Sequence, residues 1–390
     1  VVGSGPSLDQ SFGDLKRLRH GGIVISCGSA LRALLTAGIR PDFQIEIENI
    51  DVEPTIQPVA EQFDLADITL VAAVSTDAGA VNRFKKRLFF HRRGLVTYPF
   101  LATDETDALA HTDPTVGNAG LAFALALRPT GVYLFGLDLG VRVDNGMHHA
   151  KDSYHYLDLD DQIVSQQDLL FDIEGPANFG GTAKSSRGFH LARLGMEAAI
   201  VRAPNVRVWN CSDGIQIGGA TPMQPADIPV AMTDAPECAA RISAAADALA
   251  PETFQRRWRA GELAAEIDEL AKTLIAETLA APSQMDRQHM NRMMEILTPA
   301  MQPEAALANP ISGAALWSLR GTVYMFLIAV RYLAVRQSSG EPAAANDIFK
   351  AALAGGIQEL VRVADAALAD PSAALPAGDL PLVWVPPPAN

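Results

Sequence analysis

From its first residue to about residue 225, the chain alternates short apolar runs with stretches of helical periodicity, and that alternation leaves few folds open. Apolar runs at Gly22–Ser26, Ile68–Val74, Leu95–Tyr98, Val132–Phe135 and Val206–Trp209 read as strands, and Pro41–Glu48 alternates with period two. The first helix carries Leu8, Phe12, Leu15 and Leu18, spaced four, three and three as an amphipathic stripe requires. Further helices are expected at Ala30–Ala37, closed by Gly38, at Ala119–Leu127 and at Leu191–Val201. Strands that alternate with helices must join by right-handed crossovers. The expected class is therefore α/β, a Rossmann-like, mostly parallel sheet with helices on both faces.

After about residue 228 the pattern changes. Ala, Leu and Glu dominate, and helices are expected near 233–250, 253–281, 284–300, 310–338 and 344–369, with breaks at Pro251, Pro282, Pro303, Pro310 and Pro342. No repeat of fixed period emerges, so a helical bundle is expected rather than a solenoid. The organisation predicted is a catalytic domain over 1–228 followed by an α-helical C-terminal domain over 229–390.

Ligands of open parallel sheets bind outside the carboxyl ends of the strands. In this chain those ends read Gly3-Ser4-Gly5, Ser26-Cys27-Gly28-Ser29, Glu46-Ile47-Glu48-Asn49, Ser75-Thr76-Asp77, Gly136-Leu137-Asp138 and Asn210-Cys211-Ser212-Asp213-Gly214. Each is also an ordinary turn; six in succession point to a polar crevice. The first continues into Pro6-Ser7, a glycine-rich turn before a helix, where free backbone donors and the helix dipole favour phosphate. Leu8 stands where a dinucleotide fingerprint wants its third glycine.

Alternation sets Glu46 and Glu48 on one face, opposite Phe43, Ile45 and Ile47. Two readings stay open: a solvent-facing edge strand, or, with Asn49, hydrogen bonding to ribose or sugar hydroxyls. His149 lies in the loop Asp144–Ala150 and is either a solvated loop histidine or a general base for an acceptor hydroxyl. The adjacent His148 leaves open which of the two is meant.

A net charge of −14 sets nucleic acid aside as the main partner. The cluster Arg83, Lys85, Lys86, Arg87, Arg92 and Arg93 reads as a solvated helix face and loop. Three cysteines, Cys27, Cys211 and Cys238, make no disulfide framework, and no histidine or cysteine pair has metal-site spacing, so no metal is expected. No run of about 18–20 apolar residues is present, so no membrane span is expected, and the cysteine usage makes a reducing cytoplasm the expected setting. No nucleophile elbow is present. Group transfer from a phosphorylated or nucleotide donor remains.

The ordered set Gly3-Ser4-Gly5-Pro6-Ser7-Leu8, Gly38-Ile39-Arg40-Pro41-Asp42-Phe43 with Glu46 and Glu48, Gly136-Leu137-Asp138-Leu139, His149-Ala150 and Asn210–Gly214 resembles the motility-associated factor (Maf) family of flagellin glycosyltransferases. That family is related to the 6-hydroxymethylpterin diphosphokinase group. The resemblance spans residues 1 to about 225 and implies a sialyltransferase-like core. It further implies a CMP-activated nonulosonic acid donor of pseudaminic or legionaminic type, no required cofactor, and transfer to Ser or Thr hydroxyls of flagellin. On that resemblance Gly3, Ser4, Gly5, Ser7, Ser29 and Asn118 would hold the CMP phosphate. Glu46, Glu48, Asn49, Asp138 and the turn bearing Asn210, Ser212 and Gly214 would line the donor site. His149, Asp138 and Glu46 would form the catalytic group, with His149 as base. The helical part would contact flagellin. Two alternatives are a pterin-type diphosphokinase using ATP and a non-catalytic flagellin-binding assembly factor.

Overall fold

A computed structural model describes residues 1–49, 52–102, 105–142, 149–153, 170–231, 234–244, 259–280, 287–297, 303–336, 343–369 and 382–383. The chain divides into two compact units. The first comprises Val1–Arg92, Leu109–Ala248 and Pro381–Asn390; the second comprises Arg93–Ala108 and Leu249–Leu380.

The first unit is a parallel sheet. Strands β1 (Ile25–Cys27), β2 (Phe43–Glu46), β3 (Thr69–Ala73) and β4 (Lys86–Arg92) pair in sequence order. Strand β5 (Gly131–Leu134) pairs with β8 (Arg207–Asn210), which pairs with the two-residue β9 (Thr221–Pro222). Val2 joins the two halves, bridging Ser26 on one side and Phe135 on the other, both parallel. The backbone bonds Cys27 N–H to Val2 O at 2.9 Å and Phe135 N–H to Val1 O at 2.9 Å close the seam. The strand order is thus β9-β8-β5-(Val1-Val2)-β1-β2-β3-β4, with Leu382–Val383 pairing parallel to Leu88–Phe89 beyond β4. The chain winds outward from Val1-Val2 to β4, then returns to the other side of Val1-Val2 at β5. That reversal is the topological switch point, where such sheets open a crevice.

Helices α1 (Phe12–Leu18), α2 (Ala30–Thr36), α3 (Glu53–Gln62), α4 (Ala78–Val81), α5 (Thr97–Leu101), α6 (Val116–Ala126) and α7 (Arg187–Val201) follow in chain order. Gly38, at φ 74°, ends α2 in a Schellman motif: Ile39 N–H reaches Leu34 O at 2.8 Å and Gly38 N–H reaches Leu35 O at 2.9 Å. Phe43, Ile45 and Ile47 are buried with α6, where Phe43 meets Phe123 edge-on at 5.2 Å. Leu70 and Ala72 of β3 belong to another cluster, with Leu31 and Leu35 of α2 and Ile56 and Val59 of α3. An antiparallel hairpin, β6 (Ile173–Pro176) and β7 (Thr182–Ser185), lies outside the alternating pattern.

Two sequence expectations are corrected. Leu95–Tyr98 is not a strand; Thr97–Leu101 forms α5, whose Pro99 lacks a ladder donor but is tolerated in a first helical turn. The true fourth strand lies within the basic cluster. Leu88, Phe89, Phe90 and His91 are buried between the charged residues Lys86, Arg87 and Arg92, which reach outward at the strand's two ends. Charge at both ends masked a short buried run.

Beyond α8 (Ala235–Ala244), whose Ala239 enters the first unit's core, come α9 (Ala260–Ala280), α10 (Arg287–Leu297), α11 (Pro303–Ala308), α12 (Pro310–Arg336) and α13 (Ala343–Ala369). In the second unit, Leu263, Ile267, Ala271 and Leu274 of α9 share one core with Ala315, Leu319 and Val323 of α12 and Leu353 and Ile357 of α13. Their three- and four-residue spacing is the apolar stripe a bundle buries. Tyr98 is fully buried there with Trp317 and Ala306. Among the described residues, no helix is long and apolar enough to cross a membrane.

Candidate functional site

The glycine turn leaves the seam strand and backs directly onto the turn after β5. Gly3 N–H donates to Phe135 O at 2.8 Å and Gly5 N–H to Gly136 O at 2.7 Å. A Cβ on Gly3 would sit 2.6 Å from Gly136 O, and one on Gly5 would overlap the Asp138 carboxylate. Glycine is required at both for this close approach. On the facing side Gly136 takes φ 59° and Leu139 takes φ 47°, a left-handed conformation costly for a branched side chain. These bends turn Asp138 back toward the glycine turn.

Asp138 is buried and accepts from Ser7 Oγ at 3.0 Å and Ser7 N–H at 3.4 Å. The protein's own carboxylate thus takes donors that the sequence reading reserved for phosphate. Burial pushes Asp138 up to about 7, against the opposing pull of the Ser7 hydrogen bonds. Beneath it lies the Asn210–Gly214 turn. Ser212 Oγ accepts from Leu137 N–H at 2.9 Å, Asn210 Oδ1 accepts from Ser212 N–H at 3.0 Å, and Ile215 N–H reaches Asp138 O at 2.8 Å. A Cβ on Gly214 would overlap the Asp138 backbone.

The second cluster is a row of three side chains. Ser29 Oγ donates to Ser4 Oγ at 2.6 Å, and Ser4 Oγ lies 2.9 Å from His149 Nδ1. The segment bearing His149 is tied to the turn by its backbone as well. Ala150 N–H donates to Ser4 O at 2.6 Å, Lys151 N–H to the Asp9 carboxylate at 3.2 Å, and Arg32 Nη1 to Asp152 O at 2.9 Å. His148, Tyr154 and His155 lie outside the described residues.

Glu46 closes β2, buried, with Gln44 Nε2 donating to its Oε1 at 2.7 Å and to Gly28 O at 3.0 Å. Burial pushes its carboxyl up to about 7; the Gln44 bond opposes this and the neighbouring Glu48 adds to it. β2 is an inner strand that ends at Glu46, so Glu46 is buried while Glu48 and Asn49 are exposed beyond the strand end.

The structure therefore brings together Gly3, Gly5, Ser7 and Asp138, and separately Ser4, Ser29 and His149. Asn210, Ser212 and Gly214 form the support under Asp138. Asn118 is not brought to either group: it caps α6, accepting from Thr115 Oγ1 at 2.7 Å and donating to Ala192 O at 2.8 Å. The Cys27 and Cys211 thiols are pushed up to about 12 by burial, which leaves them poor nucleophiles.

Sequence reasoning passed over Gln44, although its place two residues before Glu46 put it on the same face. It also passed over Asn178, whose Nδ2 donates to Asn210 O and Ser212 O, both at 2.9 Å. Arg142 was missed too; it donates to Gly180 O at 2.6 Å and pairs with Asp213 at 3.6 Å, pinning the hairpin beside the β8 end. Among the described residues no group of three or more His, Cys, Asp or Glu could hold a metal ion.

Residues 1–144 match the family model described as 6-hydroxymethylpterin diphosphokinase MptE-like. The structure of a Maf glycosyltransferase from Magnetospirillum magneticum AMB-1 is similar over 95% of this chain, with 25% identity and a TM-score of 0.67. The family link read from the motifs is found in both comparisons, and the fold is of the Maf glycosyltransferase kind. The chain spans 54% of that protein's length. No curated protein matches it.

Proposed function

We propose that the chain is an inverting glycosyltransferase that moves a nonulosonic acid, of pseudaminic or legionaminic type, from its CMP-activated form to Ser or Thr hydroxyls of flagellin, in the cytoplasm and before export. The observation that carries this reading is the Ser29–Ser4–His149 row at the switch point, where hydroxyl donors and one titratable base stand side by side. The similar Maf structure, described as a glycosyltransferase, supports the same class.

On this reading the donor's phosphate lies against the Ser4 and Ser29 hydroxyls, since the Ser7 donors are already held by Asp138. The flagellin hydroxyl attacks the anomeric carbon as its bond to the phosphate oxygen breaks; the hydroxyl proton passes to His149 and CMP leaves. Charge on the departing phosphate is offset by hydroxyl donors. Glu46, titrating near 7, serves donor hydroxyls as either hydrogen-bond donor or acceptor. The helical part beyond residue 228 receives flagellin, and a pull-down in which residues 1–228 alone keep full flagellin binding would remove that role.

Calorimetry of the whole chain tests the donor: CMP gives heat, and His149→Ala keeps that heat while losing transfer. Heat with ATP and none with CMP would favour a second reading, a pterin-type diphosphokinase, to which the family match over 1–144 also points.

A further inference from the structure

Helix α7 is apolar on two opposite faces. Ala192, Met196 and Ile200 enter the core of the first unit. On the solvent side stand Leu191, Leu194, Ala198 and Val201, all exposed, with Leu191 at 59%, Leu194 at 44% and Val201 at 75%. Their spacing of three, four and three residues draws them into one stripe along the helix. A surface helix ordinarily turns charge toward water, and a helix apolar on both sides is one that something else covers.

The charges on α7 narrow what that cover is. Arg193 and Glu197 are held to each other at 3.0 Å, and Glu197 also accepts from Gly218 N–H at 2.8 Å, so that pair belongs to the chain itself. The stripe is framed by Arg187 and Arg202 at its two ends, both exposed. Arg187 opens the helix, and the first turn holds no acidic residue. Its cation thus stands at the positive end of its own helix dipole, where it is disfavoured.

We propose that this stripe pairs with the same stripe of a second copy of the chain, the two α7 helices running antiparallel about a two-fold axis. The stripe reads the same from either end. Leu191 and Val201 lie equally far from its midpoint at the level of Met196, and so do Leu194 and Ala198. A two-fold axis therefore sets Leu191 against Val201 of the second copy and Leu194 against Ala198, a large side chain over a small one, as a self-complementary contact needs. It also carries Arg187 to the negative, C-terminal end of the other helix, where a cation is favoured. The matched spacing is what favours a second copy over an acidic helix of another protein. The paired face is one helix of 15 residues, about 22 Å long, which is below the size of permanent dimer interfaces, so the dimer is weak. Each copy carries a net charge of −14, and salt strengthens the pairing by screening their repulsion.

Sedimentation equilibrium of the whole chain, from micromolar to near-millimolar and at low and high salt, is the test. The parent should pass from monomer to dimer as concentration rises, and sooner at high salt. Leu194→Arg sets a charge at the centre of the stripe and should weaken association about tenfold or more. Ala198→Glu should do the same, and decides if the first variant fails to fold. Leu279→Arg, at a 56% exposed leucine on α9, should associate as the parent does. Chains with Leu194→Glu and chains with Ala198→Lys should pair when mixed, because the axis sets those positions opposite each other. A parent that stays monomeric throughout, association that weakens as salt rises, a dimer untouched by Leu194→Arg and Ala198→Glu, equal weakening by Leu279→Arg, or no pairing in the mixture would each overturn the proposal. A monomeric parent that binds phosphatidylglycerol vesicles, and loses them with Leu194→Arg, would replace the second copy by a lipid surface.

Discussion

Replacing Asp138 with asparagine isolates the electrostatic cost of the site, and the sign can be worked out. The Asp138 carboxyl titrates at about 7 in the fold against 3.8 ordinarily, because burial disfavours its charged form. Between those values the folded chain keeps a proton that the unfolded chain has released. Stability therefore falls as pH rises through this window, by about 1.4 kcal/mol per pH unit, and levels off above the folded value. Over the whole window the loss from this one group is about 4 kcal/mol at most. Glu46, also raised to about 7, adds a loss of the same sign. A side-chain amide in place of the carboxyl would keep the oxygen that accepts both Ser7 bonds but carry no charge. Above neutral pH Asp138→Asn should therefore be more stable than the parent, by a few kcal/mol. It should also lose its share of the slope between about pH 4 and about pH 7. Urea unfolding at several pH values, followed by hydrogen exchange of peptides spanning the Gly3 and Gly5 amides, reads the first unit directly. A variant less stable than the parent above neutral pH, or one with an unchanged slope, would refute the reasoning.

Glu46→Gln should remove an inflection near 7 from the pH profile of kcat/KM for transfer, and an unchanged profile would take Glu46 out of the chemistry. Asn118→Ala leaves Thr115 and Ala192 without buried partners and should cost roughly 1–3 kcal/mol in unfolding free energy while leaving CMP heat intact. Gly214→Ala drives a methyl into the Asp138 backbone and should destabilise the first unit by about 1–3 kcal/mol, measured by the same exchange assay. Gln44→Leu removes the side-chain donor to Glu46 Oε1 and should move the Glu46 inflection upward; a downward shift would contradict its role.

Much of the sheet was legible because its strands end in small polar turns and its helices end in glycine, as at Gly38. The strand Lys86–Arg92 was not, since its three apolar residues Leu88, Phe89 and Phe90 stand between charged residues on both sides. Leu95–Tyr98 misled for the opposite reason: its apolar residues serve a bundle, with Tyr98 buried against Trp317. At the site, residue types at strand ends pointed to Asp138 and Ser4, and the structure sets Ser4 beside Ser29 and His149. Which donors were already engaged could not be read from spacing, because Ser7 and Asp138 lie 131 positions apart and meet only through the fold. Asn118 fits a capping box as readily as a ligand site, and a one-dimensional pattern does not separate the two.

Val1 and Val2 border both half-sheets at once. A polypeptide ending at Arg92 would leave the outer edge of that pair bare, and one starting at Leu109 would lack the neighbour on which Phe135 leans. Two such pieces, mixed, should complement each other rather than fold alone, with the dipeptide as the splice that makes them one body.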